Sequence, residues 1–223
     1  MLRSSYRAVV AGLVLLPLLA SAAPFTSPGD RDLIRDRRDR AVVKTRGDLD
    51  NRGGQVVGLN ELQVQAAALD NRSAGLLSSK GDMDIEVARL DNSAGGKLVS
   101  ERRTLLKADR LDNRSGRIVA GQDLDLSSRL IDNRAGDISS TSRVVASARE
   151  QLDNRGGKIV GDSGLDITTP RMLNQDKGVL ASRDGLRLSA GTHPGRRSGR
   201  QQPGGPDRRQ GCDRCGSPRV GPA

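Results

Sequence analysis

The 223-residue chain carries 37 Lys and Arg against 27 Asp and Glu, a formal charge of +10, and only two aromatic rings, Tyr6 and Phe25. A compact globular enzyme is not expected without the roughly 150–250 Å² that each buried ring supplies. A single-strand nucleic-acid binder, which stacks bases on rings, is equally unexpected. The charge still invites an anionic partner, so its position along the chain matters.

The first segment reads as a targeting signal. Arg3 and Arg7 precede an apolar run over Ala8–Ala20, which is interrupted by Pro17. That run is shorter than the roughly 20 residues a bilayer span needs. Ala20-Ser21-Ala22 then offers small residues at the positions a signal peptidase reads. A signal peptide over 1–22 is predicted, with export through the inner membrane. Residues 23–46 read as a charged linker or short helix.

From there a repeat organises the chain. Leu-Asp-Asn stands at 49–51, 69–71, 90–92, 111–113 and 152–154, with Ile131-Asp132-Asn133 and Leu173-Asn174 as variants. The Asn positions are Asn51, Asn71, Asn92, Asn113, Asn133, Asn154 and Asn174, at steps of 20 or 21. A fixed period takes precedence over local readings. A Gly follows each Asn by three or four residues, and two positions later comes Val56, Leu77, Leu98, Ile118, Ile138, Ile159 or Leu180. Six further on stand Leu62, Met83, Thr104, Leu124, Val144, Leu165 and Leu186. Two beyond those stand Val64, Ile85, Leu106, Leu126, Ala146, Ile167 and Leu188. The one-residue slack is placed between Asn and Gly, where a turn absorbs it.

The local period within each repeat is two, as in Asp123-Leu124-Asp125-Leu126, so each copy holds two or three short strands separated by Gly-containing turns. One copy buries only one edge of its aliphatic face. Stacking copies at about 4.8 Å pairs every strand and joins the columns into one core. The expected fold is all-β, a parallel β-solenoid over 47–190 of about seven coils, roughly 34 Å long.

Alternation points Leu inward, Asp outward and Asn inward or into the turn. Stacked Asn amides predict a ladder from coil to coil, and Asn tolerates the left-handed conformation of a sharp corner. Arg52, Arg72, Arg114, Arg134 and Arg155 lie two residues after an Asp, placed to offset repulsion along the Asp column.

The units LDNRGGQVVG (49–58), LDNRSGRIVAGQDLDL (111–126) and LDNRGGKIVGDSGLDI (152–167) resemble the haemagglutinin repeats of filamentous haemagglutinin-like exoproteins, which include contact-dependent growth inhibition proteins. The resemblance covers about 47–190 and implies a right-handed parallel β-helix, the shaft of a secreted or cell-surface adhesin. It also implies export by two-partner secretion through an outer-membrane transporter, and a host or neighbouring-cell surface as the target. The long secretion domain of the family, with its Asn-Pro-Asn-Leu type motif, is not found here. Residues 27–40 instead resemble the N-terminus of the partner transporter. An alternative reading is the shaft of a growth-inhibition exoprotein without its toxin domain.

After Ala190 the repeat stops, and Gly191–Ala223 holds eight Gly, five Pro and seven Arg. It is expected to be a disordered basic tail, read out of frame from a repeat gene. Cys212-Asp213-Arg214-Cys215 is a lone C-x-x-C far from the sole His193, so no metal site is expected. Asp82, Asp84, Asp123 and Asp125 are read as a solvated strand face, and no catalytic set stands out. No enzyme activity, cofactor or small-molecule substrate is expected, and end-to-end self-association through uncapped coils is. Residues 49–190 hold a net charge of only +1, against +4 for 1–48 and +5 for 191–223. An anionic-polymer binder would therefore act through the tail.

Overall fold

The computed structural model of the protein describes residues 40–189 and the backbone of three further strands, Val9–Val10, Leu13–Leu15 and Asp32–Arg35. The chain divides into two units, 1–193 and 194–223. The second unit lies outside the described residues. So do the Cys212–Cys215 pair and, the first two short strands aside, the expected signal peptide.

The fold is a parallel β-solenoid of about seven turns, all-β with no helix among the described residues. Each coil contributes one short strand and one long one. The short strands are Gln55–Gly58, Leu76–Ser79, Lys97–Ser100, Arg117–Ala120, Asp137–Ser140, Lys158–Gly161 and Val179–Ser182. They stack in sequence order into one sheet, each paired parallel and without slippage to the next. The long strands are Glu61–Asp70, Met83–Asp91, Thr104–Asp112, Leu124–Asp132 and Arg143–Asp153. They also stack parallel in sequence order, with one shift of register between Leu124–Asp132 and Arg143–Asp153, and the next coil divides its long strand into Gly164–Thr168 and Met172–Leu173.

Alternation explains the register. In Thr104–Asp112 the side chains of Thr104, Leu106 and Ala108 are buried, while Lys107 is exposed. At Asp109-Arg110 two successive side chains face outward, and Leu111 returns to the interior. That break in the period of two is a bend, so each coil has three faces built from two strands. The bend carries no Gly; its inward position is filled by Ala66, Val87, Ala108, Ser128 and Ala148, all buried. The expectation that Gly-containing turns separate all the strands fails here. A compact inward residue next to an outward pair bends the strand without interrupting it.

The core is the set of stacked columns. Leu62, Leu77, Met83, Leu98, Leu106, Ile118, Leu124, Ile138 and Ile159 are all at most 1% exposed. Thr104, the polar member of its column, is equally buried, and its Oγ1 lies 2.7 Å from Ser100 Oγ across the corner. The column pattern also reaches further upstream than residue 47. Arg40–Lys44 pairs parallel with Glu61–Gln65, placing Ala41 beside Leu62 and Val43 beside Val64. Asp32–Arg35 is a strand antiparallel to it, where a linker or short helix is expected. Pairing there satisfies the backbone groups of the sheet edge that Arg40–Lys44 presents.

At the far end the expectation of a buried column is corrected. Leu186 is 46% exposed and Leu188 51%, and Leu180 is only partly buried. They stand in register with buried Leu165, Ile167 and Ile159, but no described strand stacks on their other side.

Candidate functional site: the Leu-Asp-Asn corner

The candidate site is the corner where the long strand ends and the next short strand begins. Leu49, Leu69, Leu90, Leu111, Ile131 and Leu152 anchor it from inside, all buried. The next residue, Asp, lies on the opposite face, where Asp112 and Asp153 are still buried, 7% and 5% exposed, and the Asn after it turns in again. Asn51, Asn71, Asn92, Asn113, Asn133 and Asn154 are at most 2% exposed.

Their amides are joined along the rod. Nδ2 of Asn51 donates to Oδ1 of Asn71 at 2.7 Å, and the same 2.7 Å bond runs from Asn71 to Asn92, Asn92 to Asn113, Asn113 to Asn133, Asn133 to Asn154 and Asn154 to Asn174. Every amide points the same way. The second Nδ2 hydrogen faces carbonyls of the corner: that of Asn71 donates to Gly75 O at 3.0 Å and to Lys97 O at 3.1 Å. A buried amide left unpaired costs about 1–3 kcal/mol, so this satisfaction is what lets a polar column run inside the rod.

The glycines stand where they do because of this ladder. A Cβ on Gly116 would lie 2.0 Å from Asn92 O and 2.6 Å from Asn113 Oδ1. Gly75, Gly96, Gly136, Gly157 and Gly178 are confined in the same way, by the Asn of their own coil and the carbonyl of the preceding one. None of them has a positive φ; close approach excludes a side chain there.

The left-handed residues are their neighbours. Four-residue corners use one, at Gly53, Ser115, Ala135 and Gly156. Five-residue corners use two in succession: Ser73 and Ala74, Ala94 and Gly95, Asp176 and Lys177. Both lengths close with the Gly N–H donating to the carbonyl three residues back, as Gly116 N to Asn113 O at 3.0 Å and Gly75 N to Arg72 O at 3.1 Å. The ladder Asn itself is not left-handed, contrary to the role expected for it. Its inward amide and its place at the end of the strand keep it out of that region, and the turn passes to the residues after it.

One coil takes its extra residue elsewhere. Between Asn133 and Asn154 the Asn-to-Gly corner is short, and the register instead shifts between Ser128 and Leu130 opposite Ala148 and Gln151. Arg149 and Glu150 form a bulge at the bend. Not all of the slack lies between Asn and Gly.

The Asp of each repeat has two partners. The backbone N–H of the residue two further on donates to its carboxylate, as Arg114 N to Asp112 Oδ1 at 3.1 Å, and the guanidinium of that residue clamps it from Nε and Nη2. The backbone bond was not legible from charge spacing; Asp followed two later by a turn residue is its signal. Four of the five Arg also reach the Asp of the next coil, with Arg52 to Asp70 at 3.6 Å, Arg72 to Asp91 at 3.5 Å, and Arg114 to Asp132 and Arg134 to Asp153 at 3.8 Å; the coil after Arg155 has Leu173 in the Asp position. The row therefore alternates in sign along the rod. It is interrupted at Ser93, whose hydroxyl donates to Asp91 at 2.6 Å in place of a guanidinium.

Arg52 and Arg155 hold the carboxyls of Asp50 and Asp153 below the ordinary value against a smaller cost of burial. At Asp70 and Asp112 burial pushes upward, and the hydrogen bonds and charge of Arg72 and Arg114 outweigh it, leaving both lowered.

The other acidic residues are not assembled into a reacting pair. Asp82 accepts from Arg103 N and sits 3.6 Å from Arg102, and Asp123 accepts from Arg143 N. Asp84 and Asp125 are two coils apart, with Leu105 between them in the ladder. No group of three His, Cys, Asp or Glu suited to a metal occurs among the described residues.

The haemagglutinin-repeat family model matches residues 30–53, 45–128, 99–156 and 143–193. The chain belongs to the haemagglutinin-repeat family. No curated protein and no solved structure matches it. The family is a structural, non-enzymatic type, and the corner described above is the element repeated in every coil.

Proposed function

We propose that this haemagglutinin-repeat chain is a shaft segment of a secreted or cell-surface bacterial adhesin, which spaces or presents binding regions carried elsewhere. The observation that supports this most is the uniformity of the coils. Their corners vary by one residue, and the single bulge adds one more. No described coil carries an excursion long enough to wall a cleft, whereas a solenoid built for catalysis needs such walls to exclude water. The repeated chemistry of each coil is directed inward, to the amide ladder, and along the rod, to the Asp–Arg row.

Two-partner secretion through an outer-membrane transporter is the route that the family resemblance proposes. A host or neighbouring-cell surface is the target it proposes.

The reading is tested by grafting the coils between a membrane anchor and a binding domain on a bacterial surface. Capture of an immobilised ligand beneath a polymer layer is expected to improve as coils are added. Charge-neutralising changes at outward Asp84 and Asp125 are expected to leave capture unaltered. Polysaccharide cleavage by the isolated coils, or direct receptor binding lost on those outward changes, would overturn it.

A further inference from the structure

We propose that the open edge of the last coil is a self-association surface whose occupant is the same edge of a second copy of this chain. Val179–Ser182 and Leu186–Ser189 are each hydrogen-bonded on one side only among the described residues. Val179, Leu186 and Leu188 are 39%, 46% and 51% exposed, and they are three of the four large hydrophobic residues exposed in the described chain. Leu186 and Leu188 are ordinary members of their inward columns, whereas Val179 stands in the outward row with Lys158. What distinguishes the two leucines from Leu165 and Ile167, each 1% exposed, is that no described coil lies on top.

The residues that follow do not carry the pattern of another coil. Counting on from Leu188, the Asn column falls on Gly195. The aliphatic columns fall on Arg200 or Gln201, Pro206 or Asp207, and Arg208 or Arg209, for the shorter or longer corner. None of these is aliphatic. An unpaired edge with exposed leucines is a template for another strand.

The opposite edge of the solenoid is not a free counterpart. Leu13–Leu15 lies antiparallel on Gln55–Gly58, and Asp32–Arg35 lies antiparallel on Arg40–Lys44. Stacking one rod head to tail on the next would have to displace those strands. Two open edges meet without displacing any described strand, and a two-fold axis between them makes the contact closed and limits it to a dimer.

The register follows from the pleat. Residues directly opposite in an antiparallel pair share a face, so burying the leucines requires Leu186 of one copy opposite Leu188 of the other. Arg187 then stands opposite its own counterpart on the outer face. Each Arg187 lies 3.9 Å from Asp166 of its own rod, which tempers the repulsion between the pair.

Sedimentation of the full chain over a concentration series tests this. A monomer–dimer equilibrium is expected, with no larger species. Leu186→Lys with Leu188→Lys is expected to weaken the dimer at least about tenfold. Because both side chains are already exposed, the melting temperature measured at concentrations where the parent chain is monomeric should stay unchanged, which separates lost contact from lost folding. Arg187→Thr, removing the facing charges, should tighten the dimer. In a background with Cys212→Ser and Cys215→Ser, Arg187→Cys should give a disulfide-linked dimer under mild oxidation. A monomer at all concentrations, open-ended polymers, a dimer indifferent to the leucine changes, or no cross-link at 187 would each overturn the proposal.

Discussion

Each coil turns at its Leu-Asp-Asn corner and again at the bend within its long strand, and the two turns obey different rules. At the corner every inward atom is committed to the neighbouring coils: the amide bonds to the next amide, and the glycine Cα lies against the preceding carbonyl. At the bend near Asp109-Arg110 the turning side chains face outward, and only a compact inward residue such as Ala108 is required. The first turn keeps its Asn and its confined Gly in every coil. The second reads Ala67-Ala68, Ala88-Arg89, Asp109-Arg110, Arg129-Leu130 and Pro170-Arg171 in successive coils, and accepts an extra residue at Arg149-Glu150. A corner is constrained by what its buried polar groups must reach, and turning the chain alone imposes little.

The contrast is sharpest at the glycines. Gly116→Ala is expected to cost at least about 3 kcal/mol, the top of the usual range for overpacking, because the clash is with backbone of the preceding coil. At Gly156, φ is +65° and the nearest atom to an added carbon lies 3.5 Å away. Gly156→Ala should therefore cost only the left-handed strain of about 1–2 kcal/mol. Urea unfolding of the two variants checks the order. Equal losses would mean that backbone conformation, and not the ladder's proximity, selects these glycines.

Asn113→Leu leaves Asn92 Nδ2 without its acceptor and Asn133 Oδ1 without its donor, and should cost on the order of 1–3 kcal/mol. A melting curve matching that of the parent chain would show that the ladder contributes no stability.

Acid should weaken the Asp–Arg row that runs along the outside of this corner. The carboxyls of Asp50, Asp70, Asp112 and Asp153 are lowered in the fold, so the unfolded chain binds protons first as pH falls. Their contribution is fully present above the unfolded value of about 3.9 and is lost as pH falls through the lower folded values. Asp153→Asn should make stability less steep over that window, measured by urea midpoints at successive pH. A slope unchanged by the substitution would count against the row.

At the bend, deleting Glu150 removes the bulge and restores the register of the neighbouring coils. The expected cost is below about 1 kcal/mol, limited to the exposed pair it makes with Arg129 at 2.7 Å. The smallest effect is expected back at the corner, at Ala135, whose φ is +53°. Ala135→Gly relieves left-handed strain but gains unfolded-chain entropy, for a net stabilisation of about 0.5 kcal/mol. A loss of stability there would show that the methyl group packs against something the corner needs.

Much of this architecture was legible in the residues. The step of 20 or 21, the period of two and the spacing of Val56, Leu62 and Val64 define a coil, its inward columns and its parallel stacking, because burial of alternate side chains leaves few other arrangements. The upstream strand at Arg40–Lys44 was harder to see, since no Leu-Asp-Asn precedes it. The exposure of Leu186 and Leu188 is not legible in those residues themselves, since a column residue is the same whether or not a coil covers it; only the end of the repeat after Ala190 points to it.

The sequence by itself determined the repeat, the inward columns and the residues of the corner, all of which follow from local alternation and fixed spacing. Only the tertiary structure decided what those corner residues do. Asn51 and Asn71 become hydrogen-bonding partners, and Gly116 must lack a side chain, only when one coil is laid on another. The left-handed conformation likewise passed from Asn to Ser115, Ala135 and their equivalents because the amide is held inward by the next coil. A sequence specifies which groups are present at each level of the rod, and the contacts between levels assign their roles.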